Sequence, residues 1–117
     1  MSSKISFNYG ELKWPEIREV VKEDRVVMLP TGSIEQHGPH LPVNTDSVLC
    51  YEVCRRTAER IPDEVLLMPP VIYGYDPHHI DFPGNMSIED VTFLHYVRDI
   101  VVGLAHHGFQ RPCGLWG

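Results

Sequence analysis

At 117 residues, with 43% hydrophobic and 22% charged side chains, the chain is long enough for one domain with a real core and short for two. The formal net charge of -6, with no cluster of Lys or Arg, argues against a nucleic-acid partner, whose phosphate backbone is held by such clusters. No segment approaches the roughly 18 apolar residues of a membrane helix, and the N-terminus lacks the apolar run of a secretion signal, so a cytoplasmic protein with no membrane partner is expected.

Taken in chain order, the sequence predicts a first helix over about 14–22, with Pro15 in its first turn and Ile17, Val20 and Val21 at helical spacing. "RVVMLP", 25–30, reads as a strand buried on both faces, as in a parallel sheet, and Pro30 marks its end. A loop rich in polar residues follows, and then a second helix over about 46–61. On that helix Cys50 and Cys54 stand four apart and can in principle clamp a metal. Packing beside Val53, Thr57, Ala58 and Ile61 as small hydrophobes is the better reading. With Cys113 the cysteines are odd in number and lack a framework spacing, which argues against a disulfide-stapled secreted fold.

"EVLLMPP", 64–70, is a second buried strand closed by two prolines, and "VIYGYDPHHIDFPGNM" after it is too rich in Gly and Pro for regular structure. "SIED" predicts a capping box between Ser87 and Asp90, opening a third helix that runs to about His106 with Val91, Leu94, Ile100, Val101 and Leu104 largely on one face. The alternation is that of an α/β fold. Both long loops leave the carboxyl ends of predicted strands, the edge at which open parallel sheets bind ligands. His37, His40, His78 and His79, four of the seven histidines, lie in these two loops.

The first loop carries the chemistry. In an extended segment Glu35 and His37 face the same way, so a carboxylate oxygen and an imidazole nitrogen converge, while Gln36 points away. Asp46 can return to the same place because Pro39 and Pro42 stiffen the intervening "GPHLPVNT". A carboxylate can bridge two metals, and two cations about 3.5 to 4 Å apart polarise a carbonyl and activate water at neutral pH. Each residue also has an ordinary reading: Asp46 as a helix N-cap, Glu35 as a solvated carboxylate, His37 or His40 as a donor that ties down the loop. Spacing alone leaves these alternatives open.

"LPTGSIEQHGPHLPVNTD" resembles the opening signature of the creatininase family of metal-dependent amidohydrolases, and "YGYDPHHIDFPGNMSI" resembles that family's second loop, which usually ends in Phe-Pro-Gly-Thr. The likeness extends over about 10–110 and implies a three-layer α/β/α fold with a mainly parallel sheet. It implies that Glu35 and His37 each contact one of two divalent metals, Zn or Mn, that Asp46 bridges them, and that activated water attacks an amide carbon. The implied substrate is a small, cyclic amide such as creatinine, and the implied full-length assembly is a homo-oligomer. His78 and His79 are candidates for the substrate pocket. His95, His106 and His107, on the third helix, receive no role, and Asn85 stands where the family has Thr.

The pattern breaks after Gln110. The family's third strand and its Asn-Gly-His loop, which supplies further ligands, are replaced by "GFQRPCGLWG", where Pro112 and Gly114 suit a central strand poorly. The expectation is therefore a single creatininase-like domain over 1–117 with two strands, its C-terminal half missing and little activity of its own. The alternative is a noncatalytic truncated remnant or an assembly partner of a full-length relative.

Overall fold

The computed structural model describes residues 5–116. Its regular elements are α1 (Trp14–Val20), β1 (Val26–Thr31), α2 (Thr45–Arg60), β2 (Val65–Leu67), α3 (Asp90–His106) and β3 (Pro112–Trp116). Short 3-10 turns precede α1 (Tyr9–Glu11), follow it (Val21–Glu23) and interrupt the second long loop (Pro77–His79). No described helix is long and apolar enough to cross a membrane.

The sheet is parallel, in the order β2-β1-β3, and β1 at its centre is buried along almost its whole length. Because side chains alternate across a strand, β1 feeds two cores. Val27 packs with Leu66, Val20 of α1, and Leu104 and Phe109 at the end of α3. Met28 packs on the opposite face with Val65, Leu67, and Cys54 and Ala58 of α2. Helices thus cover both faces, the three-layer arrangement expected of strands that read as continuous apolar runs. Each fully buried Leu here contributes about 1.5–3 kcal/mol.

Local chemistry sets the helix ends. Glu16 Oε1 accepts from the Lys13 N–H at 2.9 Å, starting α1 with Pro15 in its first turn. At the other end of the chain Gly108, at φ +100°, closes α3: its N–H donates to Ala105 O at 3.0 Å and the Phe109 N–H donates to Leu104 O at 3.0 Å. That is a Schellman motif, and its Phe109–Leu104 contact joins the core.

Several expectations need correction. A third strand does form: β3 pairs with β1 in parallel from Val27↔Pro112 to Thr31↔Trp116. Pro112 is tolerated because it is the strand's first residue on an outer position of the described sheet, and the Val27 N–H donates to the carbonyl of Arg111 at 2.9 Å, so no N–H of Pro112 is needed there. The Ser87–Asp90 capping box is absent; the Ser87 hydroxyl instead accepts from the Asp76 N–H at 2.8 Å, and Glu89 is the N-cap of α3. Asp46 is not an N-cap, since Asn44 holds that position. β2 ends at Leu67, three residues short of the prolonged strand predicted to Pro70. On α3 only Leu104 is buried, with Val91 and Leu94 exposed.

On α2 the buried stripe is Ser47, Cys50, Cys54 and Ala58, while Val53 lies outside it at 64% exposure. Cys50 and Cys54 pack as small hydrophobes, as expected from the sequence, and Cys50 Sγ donates to Leu115 O at 3.1 Å. Burial first, then the neighbouring Cys50 and Cys113 thiols, push the Cys54 thiol up to about 11. Thiolate chemistry needs a low pKa and access. Labelling of the native protein with a thiol-reactive disulfide at pH 7.5 (about neutral) is therefore expected to modify Cys113 rapidly and Cys54 only on unfolding; fast labelling of Cys54 would contradict the packing.

Candidate metal centre

Both long loops leave the same edge of the sheet, as parallel strands require, and a cavity of about 650 Å³ opens between them. Thr31, Gly32, Ser33, Glu35 and Asp46 line it from the end of β1, the first loop and α2, Asp76 and His78 from the second loop, and Phe93 and Trp116 from α3 and β3. The Phe93 and Trp116 rings, with centroids 5.8 Å apart, form its apolar wall.

Glu35, His37 and Asp46 converge: each offers one ligand atom, and these atoms lie within 4.8 Å of one another. The Glu35 N–H donates to Val43 O at 3.0 Å, which folds the loop back and brings the start of α2 to Glu35. His37 Nδ1 lies 3.2 Å from the backbone carbonyl of Glu35, an arrangement that puts the proton on Nδ1 and leaves the Nε2 lone pair free. Nε2 faces Glu35 Oε1 at 3.8 Å. The Ser33 hydroxyl donates to Asp46 Oδ2 at 2.9 Å and fixes the rotation of that carboxylate. All three side chains are half-buried. The donor set, two carboxylates and one imidazole with Asp46 Oδ2 and His37 Nδ1 already bonded, fits a divalent cation of the zinc or manganese type.

Asp76 is a pocket residue that the sequence reading missed. It is 1% exposed, and its Oδ2 accepts from Asn85 Nδ2 at 2.9 Å. Asn85 Oδ1 in turn accepts from the Gln36 N–H at 2.9 Å, so the residue that stands in place of Thr stitches the second loop to the first. Glu35 lies beside Asp76, and two carboxyls in one site resist ionising together. Burial and then the Asp76 carboxyl hold Glu35 above the usual carboxylate range. Burial pushes Asp76 upward as well, but the hydrogen bonds from Asn85 and Glu35 and the nearby imidazoles of His78 and His79 outweigh it and hold Asp76 below that range.

The two loop histidines differ. His78 is at the mouth of the cavity, with its side chain 70% exposed. His79 is not among the residues that line the cavity; its Nδ1 lies 3.4 Å from Gln36 Nε2, and its ring meets Phe82 edge-on. His40, His95, His106 and His107 are exposed and take no part in the described site.

A family model for creatinine amidohydrolase, named Creatininase, matches residues 10–115. The chain belongs to the creatininase family. A creatinine amidohydrolase of Pseudomonas putida is 43% identical over 108 residues, which is 87% of this chain and 41% of that protein. A 3-dehydro-scyllo-inosose hydrolase of Thermotoga maritima is 32% identical over 103 residues, 87% of this chain and 32% of the relative. Among solved structures, a manganese form of creatininase superposes with a TM-score of 0.86 at 40% identity, covering 94% of this chain and 44% of that one. A Zn-Zn form of a creatininase variant gives 0.85, with 95% and 45% covered. The creatininase-like chain thus spans less than half the length of these relatives.

Proposed function

We propose that this chain carries the metal-holding part of a creatininase-type amidohydrolase, which opens a nonpeptide C–N bond in a small cyclic amide such as creatinine. The observation that supports it is the convergence of Glu35, His37 and Asp46, with His37 and Asp46 each oriented by a hydrogen-bond partner, beside a cavity sized for a small molecule. Zn or Mn is the proposed cation, in keeping with the metal forms of the similar creatininases.

When bound, a divalent cation supplies Lewis acidity and lowers the pKa of water near neutrality. The chain's own residues do the rest. Asp46, with Oδ2 bonded to Ser33, presents Oδ1 to a cation, and His37 presents Nε2. Burial and Asp76 hold Glu35 above the usual carboxylate range, and ligation needs its ionised form, so cation uptake is expected to strengthen as pH rises through that range. Phe93 and Trp116 give an apolar face against which a flat amide ring can lie, and exposed His78 offers an imidazole at the entrance. A homo-oligomer of the full-length form is the proposed assembly.

A second reading, a noncatalytic assembly partner, draws on the apolar side chains left exposed on α3, Val91 at 53% and Leu94 at 66%. Metal analysis, creatinine turnover and sizing separate the two. Under the first reading the chain retains Zn or Mn, and Glu35→Ala and Asp46→Ala each weaken cation binding by on the order of 10²-fold and abolish any hydrolysis. Equal affinity in both variants and the parent would reject the metal assignment, and metal-independent self-association without turnover would favour the second reading.

A further inference from the structure

The second loop holds another ligand cluster. Asp76, His78 and His79 each offer one donor atom, all within 4.8 Å of one another. Their backbone is tightly set: Pro77 starts the 3-10 turn Pro77–His79, the Asp76 N–H donates to Ser87 Oγ at 2.8 Å, and Asp76 Oδ2 is fixed by Asn85. The two imidazoles are stacked obliquely, with centroids 4.4 Å apart and 49° between planes.

What points to a ligand is the other oxygen of Asp76. Oδ1 is fully buried and has no hydrogen-bond partner among the described residues, in a side chain that lines the cavity. Buried carboxylate oxygens are costly to leave bare, and an orphan in a well-packed site calls for an unseen ion or water. His78 Nε2 stands 3.1 Å from it without the alignment of a hydrogen bond. That spacing suits two ligands of one ion: donors about 2.0–2.1 Å from a common zinc, at this separation, subtend an angle of roughly 100°, close to tetrahedral. A simple ion pair accounts less well for the geometry, because His78 is mostly exposed and free to turn toward a better angle.

We propose that Asp76, His78 and His79 form a second divalent-cation site, built from residues other than the Glu35–His37–Asp46 set and adjoining it where Asp76 lies beside Glu35. The mixed imidazole and carboxylate donors suit zinc, cobalt or manganese, and the three protein ligands leave coordination positions open toward the cavity. The site stands on its own residues and does not require the first set to be occupied.

The test is titration of cobalt(II) into the metal-free 117-residue chain, followed by visible absorption and by total metal after gel filtration. The proposal expects two cations per chain. Asp76→Asn, which keeps an acceptor for Asn85, and His78→Ala, at an exposed position, are each expected to remove one and leave circular dichroism unchanged; His37→Ala removes the other. A single cation that His37→Ala abolishes and His78→Ala leaves intact would overturn this inference while sparing the first site. A single cation lost in His78→Ala and kept in His37→Ala would support it and reject the first. A single cation lost in both variants would mean one shared site and overturn the proposal of two, and no uptake at all would overturn both assignments.

Discussion

Arg25→Met is expected to lower stability by about 3 kcal/mol, a shift of roughly 1.5 M in the urea midpoint for a chain of this size. Arg25 precedes β1 and is only 2% exposed. Its Nη1 donates to Pro62 O at 3.0 Å and to Val65 O at 3.4 Å, and its Nη2 donates to Ile5 O at 3.2 Å and to Glu23 Oε1 at 3.0 Å. One guanidinium therefore ties the chain before α1, the turn after α1, the α2–β2 connection and β2 itself. Met replaces its volume but none of its five donors, so several carbonyls lose a partner at about 1–3 kcal/mol for each that stays dry. Glu23→Gln tests how much of this is charge: its side chain is 31% exposed, water can replace the pair, and the expected loss is below about 1 kcal/mol. A midpoint for Arg25→Met within 0.3 M (about 0.5 kcal/mol) of the parent would show that water enters this hub and that its hydrogen bonds do not hold the fold.

The same residue shows where sequence reasoning ends. "RVVMLP" betrays a buried strand because Val, Met and Leu run without interruption to a proline, and the parallel α/β arrangement follows from that run and its repeat at "VLLMPP". Nothing in the string says that the arginine at its head is inside, since its acceptors are backbone carbonyls 37 and 40 residues away in the chain. β3 was hidden for the converse reason: Pro112 and Gly114 spoil the local strand pattern, and only pairing with the already formed edge of β1 decides the matter. At the site, Glu35, His37 and Asp46 were legible because a two-residue spacing and a short stiff loop bring them together locally. Asp76 was not, although a lone carboxylate in "DPHH" on the loop facing that site was the available signal. Its importance comes from Asn85 and Glu35, partners set by tertiary contacts.

Gly32→Ala is expected to damage fold and site together, because three segments cross at this residue just past the end of β1. An added Cβ would lie 2.5 Å from Ser47 Cα and 2.9 Å from Ser47 N, both backbone atoms of α2 that no rotamer change can clear. From the second loop, Gly74 approaches so closely that its own Cβ would meet Gly32 O at 2.8 Å. Ser47 Oγ meanwhile donates to Ser33 O at 3.1 Å, so α2 is held against the loop at the point that must give. Relief requires α2 to slide, and overpacking of this kind costs about 1–3 kcal/mol or somewhat more. Asp46 is the residue before Ser47, so the same slide carries its carboxylate away from Ser33, Glu35 and His37. Cation affinity should therefore fall by about 10- to 100-fold, measured under conditions where circular dichroism shows the variant folded. Gly103→Ala is the matched control. A Cβ there meets nothing within 4 Å in the interior of α3, so it should stabilise by about 0.5–1 kcal/mol and leave metal binding alone. If Gly32→Ala instead matched the parent in both denaturation midpoint and cation affinity, α2 would not be the rigid link between the sheet and the Asp46 carboxylate.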